Sequence, residues 1–539
     1  MEFEHHFPQE EYSNPTPPSP PPGEPAHSLR KAASTCDLIF AAIFALLLVL
    51  ATNFYLWGSA GLGAAIVTSL IYIAALSYLA AHRCKITVYG IYCGLAYLAG
   101  AASLVFSNHG FIKFLLTLCL MILGVVSIME AMGLRRSKDS SYRTVGDFFY
   151  TAFGLSFGSI GRCIYALFHK DSPEGKPEKR KIGVVLVGAA CALPILLIII
   201  PLLMSSDAAF SGLLEKLALD SIGELVVSLI FGLLVFVLIF GRLFSAPLVS
   251  REKKEATGTG GIMPAAICAF LSMIALVYAV YLFSQLAYFF SAFSGLLPEN
   301  YSAAEYARRG FFEMCAICAI NLLLVFLATL VCRKDKPYAP LSVRLLSLFF
   351  CIFSLILIAT ALSKMFLYID SFGMTRLRIF TSVFMVFLGV VFLAVAVRLF
   401  VPKVPYMKIA VAAASFLLIA TCYANVDSIV ARYNVTAYKT HELDSIDMDT
   451  LWALDRDSAV PWLIELLDDE DPEVAAEASD MLYSAVREHF YVSRDYGTIT
   501  SWNYENQPID WRAYNLVFAR AHDLLWENKN QIIRVYFDN

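Results

Sequence analysis

The chain reads as an all-α, polytopic transmembrane helix bundle of about eleven spans, closed by a small, mostly helical extracytoplasmic C-terminal domain. Three observations predict this. Of 539 residues, 58% are hydrophobic and only 16% are charged, with a mean hydropathy of +0.64, against roughly 25% charged in a soluble globular domain. The apolar residues gather in uninterrupted runs of about 20, enough to cross a hydrocarbon core about 30 Å thick. From Asn425 onward the material changes: 22 Asp and Glu stand against 9 Lys and Arg, a net −13, while the preceding residues carry the +9 that brings the whole chain to −4.

Residues 1–36 hold the proline-rich stretch "NPTPPSPPPGEP", which predicts an extended, disordered cytoplasmic tail rather than a secretory signal. Reading it as a ligand for a proline-binding module is the alternative. The bundle, 37–424, has apolar runs near 38–57, 60–80, 86–106, 111–133, 183–204, 222–245, 262–291, 310–332, 340–363, 379–401 and 405–424. Lys and Arg cluster after every even-numbered run: Arg83 and Lys85, then ten basic residues between Arg135 and Lys181, then Arg251, Lys253 and Lys254, then Arg333, Lys334 and Lys336, then Lys403. The positive-inside rule therefore places the N-terminus in the cytoplasm and the C-terminal domain outside; a cell (plasma) membrane is the expected location. One further apolar stretch, "FFYTAFGLSFGSIGRCIYALF" (148–168), lies in the basic 134–182 loop with positive charge at both ends. Crossing would invert every later loop, so an interfacial helix or shallow hairpin is expected.

The domain 425–539 contains "DSAVPWLIELLDDEDPEVAAEASDMLYSAV". Val460, Leu463, Leu466 and Leu467 form one apolar stripe, "DDEDP" the turn, and Val474, Ala478, Met481, Leu482 and Ala485 the facing stripe. This helical hairpin resembles one HEAT repeat, which alone cannot build a solenoid. A further helix is expected in "WRAYNLVFARAHDLLWEN". The acidic surface is a candidate partner surface, with ordinary solvation as the plainer reading.

No motif names a reaction. All twelve cysteines precede Asn425, mostly inside apolar runs, which argues against a disulfide framework. "CAIC" (Cys315, Cys318) has a metal or redox spacing but no nearby histidine, so packing is the reading. There is no HExxH and no P-loop. "GLSFG" matches the nucleophile-elbow letters without the strand that motif needs. No cofactor, metal or nucleic-acid partner is expected, and whether the chain is an enzyme stays open.

Charge gathers instead at the outer ends of the spans. "YIDSFGMTRLRIF" (368–380) brings Asp370, a breaker Gly373, an N-cap Thr375, then Arg376 and Arg378 to a helix N-terminus that already favours anions over cations. Arg308 and Arg309 do the same before the eighth span. Asp207, Glu224, Glu305 and Glu313 map to the same level, with Gln285 and Asn321 deeper. Polar groups at such depths pair or line a pathway. Two readings follow: an interhelical salt-bridge network, or a site for an anionic lipid or solute held by arginine forks and helix N–H groups. For the two arginines, pairing with Asp370, Glu305 or Glu313, or a cavity for an anion, is expected. The i, i+2 spacing sends them to different sides of the helix.

"FSQLAYFFSAFSGLLPENYSAAEYARRGFFEMCAICAINL" and "LYIDSFGMTRLRIF", with "SSDAAF" and "NVDSIVARYNV", resemble a bacterial membrane family, domain of unknown function 4173, related to domain of unknown function 4153. Its motifs typically read like YAxxGFFEL and YGLTxLR; Met374 replaces the leucine of the second. The resemblance covers about residues 180–450 and implies a bacterial, Gram-positive, inner-membrane location without implying an activity. Three functions stay open: binding or transport of an anionic solute or lipid at the outward arginine site, an envelope enzyme on a lipid-linked substrate, and a non-catalytic scaffold or sensor. The first rests on the broken helix entry and the polar residues at depth. The second lacks an acidic residue in its first outer loop, and the third rests on the acidic domain.

Overall fold

A capping box starts the first helix, α1 (Thr35–Leu56): the Ser34 N–H and hydroxyl donate to Asp37 Oδ2 (2.9 and 2.8 Å), and the Asp37 N–H donates to Ser34 Oγ (3.2 Å). The structure is a computed structural model that describes residues 32–58, 60–82, 87–106, 109–134, 142–170, 178–179, 219–248, 262–294, 311–332, 339–401, 403–494, 502–506, 511–512 and 514–538. The expected proline-rich tail up to residue 31 and the expected span at 183–204 lie outside them.

After α1 come α2 (Leu62–Ala81), α3 (Val88–Ser103) and α4 (Gly110–Ala131). The Tyr78 hydroxyl donates to Asp37 Oδ1 (3.0 Å), so the same carboxylate that caps α1 ties its start to the end of α2. α3 is shorter than the apolar run that announced it, because Thr87 caps its start (Gly90 N–H to Thr87 Oγ1, 3.0 Å) and the chain turns at Leu104.

The 148–168 segment is helical: α5 (Tyr142–Phe149), a π-helical turn (Tyr150–Gly154), α6 (Leu155–Gly158) and α7 (Ile160–Phe168). It bends by 44° between Thr144–Gly158 and Ile160–Phe168. Leu155, Cys163 and Ala166 bury against Phe44 of α1, Leu79 of α2 and Met129 of α4. They also meet Phe240 and Leu243 of α8 (Leu219–Ser245). These are the first half of α1 and the last turns of the other three, so the bent pair gathers at one end of the bundle. A two-stranded antiparallel pair, β1 (His169–Lys170) and β2 (Glu178–Lys179), follows it.

A second lobe consists of α9 (Pro264–Ser294), α10 (Phe311–Val331), α11 (Leu341–Phe372) and α12 (Arg376–Phe400) around Phe350, Phe353, Leu357 and Phe392. Asn321 is fully buried there. It accepts from the Tyr278 hydroxyl (2.9 Å) and donates to Ser354 Oγ (3.0 Å), joining α9, α10 and α11. α13 (Tyr406–Ala424) packs on α3, α4 and α12 and thereby links the two lobes. Among the described residues nine helices are long and apolar enough to cross a membrane, or ten if the bent pair is one span. With the shorter α3, ten of the eleven expected runs are described helices.

The tail folds as α14 (Val426–Lys439), α15 (Met448–Trp452), α16 (Arg456–Leu463), α17 (Pro472–His489) and α18 (Leu516–Asp538). An antiparallel pair, β3 (Phe490–Arg494) and β4 (Trp502–Asn506), comes between α17 and α18. Every residue of the two expected stripes enters its core; Val474 is the one only partly buried. Pro461 sits inside α16, which tightens into a 3-10 turn at Ile464–Leu466. The last helix starts later than its sequence suggests, at Leu516, because Asn515 caps it (Phe518 N–H to Asn515 Oδ1, 2.7 Å). Trp511, Arg512 and Tyr514 instead lie over the bundle. The Leu62 N–H donates to the Tyr514 carbonyl (2.9 Å) and the Gly63 N–H to that of Arg512 (3.2 Å). α2 has no side-chain N-cap, so the tail supplies acceptors to N–H groups that a helix start leaves orphaned.

Candidate functional site: an arginine junction

The C-terminal domain sits where α1, α3, α11 and α13 end and where α2, α4 and α12 begin. A single αL residue, Asn425 (φ 45°), ends α13 and starts α14; its side chain accepts from the Ser428 N–H (3.3 Å) and donates to Ser458 Oγ (3.1 Å). A helix runs into a helix with a sharp turn, which brings the first turn of α14 against the first turn of α12.

Arg376 opens α12 after the expected N-cap, Thr375, whose hydroxyl accepts from the Arg378 N–H (3.4 Å). Four of the five N–H groups of its guanidinium are engaged. Nε and Nη2 donate to Asp427 Oδ1 and Oδ2 (2.7 and 3.1 Å), Nη2 also donates to the Ala453 carbonyl (2.7 Å), and Nη1 donates to His109 Nε2 (2.7 Å). The Asp427 side chain is 2% exposed and also accepts from the Asp455 N–H (3.1 Å). An aspartate in the first turn of α14 suits that helix's positive end, whereas an arginine in the first turn of α12 does not. The bidentate pair offsets the second with the first. Because a guanidinium only donates, His109 accepts through Nε2 and is neutral. Burial, with Arg376 alongside, holds its basicity below the ordinary histidine value. Its Nδ1 is buried without a hydrogen-bond partner among the described residues. Burial likewise raises Asp455 above the ordinary carboxylate value, against the hydrogen bonds it accepts from Ser458 as N-cap of α16.

Arg378 turns the other way, as its spacing predicts. Nη1 donates to the carbonyls of Phe372 (2.9 Å) and Gly373, and the guanidinium lies over the Tyr368 ring (3.9 Å to the centroid). It thus caps the C-terminal end of α11, where carbonyls are orphaned and positive charge is favoured. Between the helices, Gly373 takes φ +73°, and the Asn434 side chain reads the next peptide in both directions: the Met374 N–H donates to Oδ1 (2.6 Å) and Nδ2 donates to the Met374 carbonyl (2.8 Å).

Of the other expected site residues, Asp370 is exposed on the last turn of α11, and the carboxylate that Arg376 holds is Asp427 instead. Asn321 is a buried interhelical hydrogen-bond node, as above. Gln285 and Glu313 lie in α9 and α10 with side chains outside the described set, and Asp207, Glu305, Arg308 and Arg309 lie outside the described residues altogether. Asp427 and His109 were not picked out as site residues. Asp427 stands in "NVDSIVARYNV", one of the stretches that carried the family resemblance, which was the available signal; His109 sits in a loop notable only for lacking Lys and Arg.

A many-helix membrane bundle carrying an ion-paired helical domain at one end is an integral membrane protein. Within that class, residues 93–466 match the family described as Domain of unknown function (DUF4153), and the chain belongs to it. The match contains the junction whole, from His109 to Asp455. No curated protein and no solved structure matches the chain.

Proposed function

We propose that the protein is a non-catalytic scaffold or sensor of the plasma membrane. The bundle holds the C-terminal domain fixed at the extracytoplasmic face, and that domain offers its acidic surface, net −13, to a protein partner of opposite charge. The orientation rests on the basic loops, and the helix ends gathered around the junction suit it: each belongs on the outer side in that scheme.

The observation that carries this reading is the engagement of four of the five Arg376 N–H groups by the bundle and the domain together. Bidentate capture of an anionic solute or lipid by the same arginine would require displacing Asp427, leaving a buried carboxylate uncompensated at a cost of about 3–5 kcal/mol. Arg378 is likewise committed to the end of α11.

The test is a double-mutant cycle on the purified full chain, with and without phosphatidylglycerol. Arg376→Gln and Asp427→Asn should each lose about 3–5 kcal/mol, the double variant less than their sum, and the lipid should leave all four differences unchanged. If the lipid stabilises the parent and Arg376→Gln loses only that increment, the junction is an anion site and the scaffold reading fails.

A further inference from the structure

The end of α8 carries polar groups that the described residues do not satisfy. Arg242 and Ser245 stand three positions apart in its last turns and so share one side of the helix. Ser245 is 0% exposed, and its hydroxyl has no hydrogen-bond partner among the described residues. The same holds for the buried Arg242 Nε, although that residue as a whole keeps part of its surface. A helix C-terminus favours a cation, which accounts for the charge but not for the N–H groups, each of which needs an acceptor. Carboxylates at this end of the bundle do not supply one. Asp37 is committed to Ser34, to the Tyr78 hydroxyl and, at 3.6 Å, to His82. Glu130 holds Lys408 (3.0 Å), and Asp147 of α5 is engaged elsewhere.

A second arginine borders the same place. Ser159, at the bend between α6 and α7, packs against Gly241, where an added Cβ would lie 3.4 Å from the Cβ atoms of Ser159 and Cys163. Arg162, one turn along α7, holds that serine through Nη2 alone, which donates to Ser159 Oγ (3.2 Å) and to the Gly158 carbonyl (3.4 Å). The neighbouring surface is apolar. Phe149, Phe153 and Phe157, spaced four apart and ending two residues before Ser159, are all exposed. Basic groups between helices at a cytoplasmic end, beside apolar surface, suit an anionic headgroup.

We infer that the crossing of α7 and α8 binds the phosphate of an anionic phospholipid. Arg242 and Arg162 donate to its oxygens, the Ser245 hydroxyl donates to a third, and the acyl chains lie along the exposed phenylalanines. A phosphodiester offers acceptors only, which matches donors that have none. Free phosphate shares that chemistry, and the phenylalanine face favours the lipid. The crossing lies at the end of the bundle opposite the junction, so this inference does not rest on the scaffold reading above.

The test is thermal melting of the purified full chain in detergent, titrated with phosphatidylglycerol, with phosphatidylcholine or with inorganic phosphate. Phosphatidylglycerol should raise the parent's melting temperature. Arg242→Met, which keeps the apolar stem, should need at least about tenfold more of this lipid for the same rise, and Ser245→Ala should fall between the two. Arg376→Gln, at the junction, should keep the parent's response. Without lipid Arg242→Met should melt no lower than the parent, because the arginine has no protein partner to lose; a clear loss there would make its role structural and overturn the proposal. Should Arg242→Met fail to fold, Ser245→Ala, which removes a single oxygen, decides the matter. The proposal also falls if phosphatidylglycerol leaves the parent unshifted, shifts the folded variants at the parent's concentrations, or acts no better than phosphatidylcholine. A response to inorganic phosphate equal to the lipid's overturns the lipid as occupant.

Discussion

Arg376 and Arg378 begin the same helix two positions apart, yet one binds the domain and the other closes the preceding helix. The peptide that lets this happen is Met374, held by Asn434 through both its N–H and its carbonyl. Asn434→Ala removes both partners at a buried site and should cost about 1–3 kcal/mol, read as a lower unfolding temperature of the full chain. Gly373→Ala should cost as much or more. The left-handed φ disfavours a side chain, and a Cβ there would stand 2.7 Å from Asn434 Oδ1. His109 gives the junction a pH dependence. Its native basicity lies below the unfolded value of 6.5, so as the medium acidifies the unfolded chain takes up this proton first. Stability is then lost as pH falls through that value. His522, lowered by burial and by His489, acts in the same direction. Asp455, raised by burial, acts oppositely, its contribution growing as pH falls toward the carboxylate range. The melting temperature should therefore drop between about pH 7.5 and pH 5.5. His109→Gln, which keeps an acceptor for Arg376, should flatten that drop; an unchanged slope would remove His109 from the account.

At the scale of elements, the domain is built on the α16–α17 pair. Leu463 and Leu482 are 2% and 0% exposed, and α18 lies across both helices. Truncating either to alanine should destabilise the domain by about 2–5 kcal/mol, measured as faster proteolysis of the tail in the intact chain. Parental resistance in both variants would mean that the stripes do not face each other. A second element-scale dependence is the start of α2, whose first N–H groups find acceptors because the backbone at Arg512 and Tyr514 approaches closely. Gly63 permits this: a Cβ there would lie 3.2 Å from the Arg512 Cα and 3.1 Å from the Phe54 ring. Gly63→Val should loosen the tail from the bundle, exposing the Trp511 region to protease while α2 itself stays intact.

On the scale of the whole molecule, two lobes of helices share one face-bridging helix and one docked domain. α13 contacts α3 on one side and α12 on the other, then delivers the chain through Asn425 directly into the domain. The positions of both lobes are thus reported at the junction, where α4 contributes His109 and α12 contributes Arg376. The proposed orientation is checked with single reporter cysteines in a cysteine-free background, one at exposed Ser445 in the domain and one at exposed Lys403 at the opposite end. An impermeant maleimide applied to intact cells should label the first and spare the second; the reverse pattern would invert the orientation and place the acidic surface in the cytoplasm.

Helix placement was legible in the sequence because it is a local property. A run of apolar residues as long as the hydrocarbon is thick has one low-energy backbone in lipid, the helix, whatever its neighbours do. The hairpin stripes were legible for the same reason, as were the N-cap at Thr375 and the divergence of the two arginines: each depends on residues within a turn or two. The identity of Arg376's partners was not. Asp427 lies 51 positions away and His109 267, and Asn434 stands 60 from the peptide it holds. Several carboxylates at the same membrane level were equivalent by spacing, Asp370 among them. Only the turn at Asn425, which brings Asp427 to the first turn of α12, chooses between them, since an ion pair forms with the charge that packing brings within reach and desolvates alongside it.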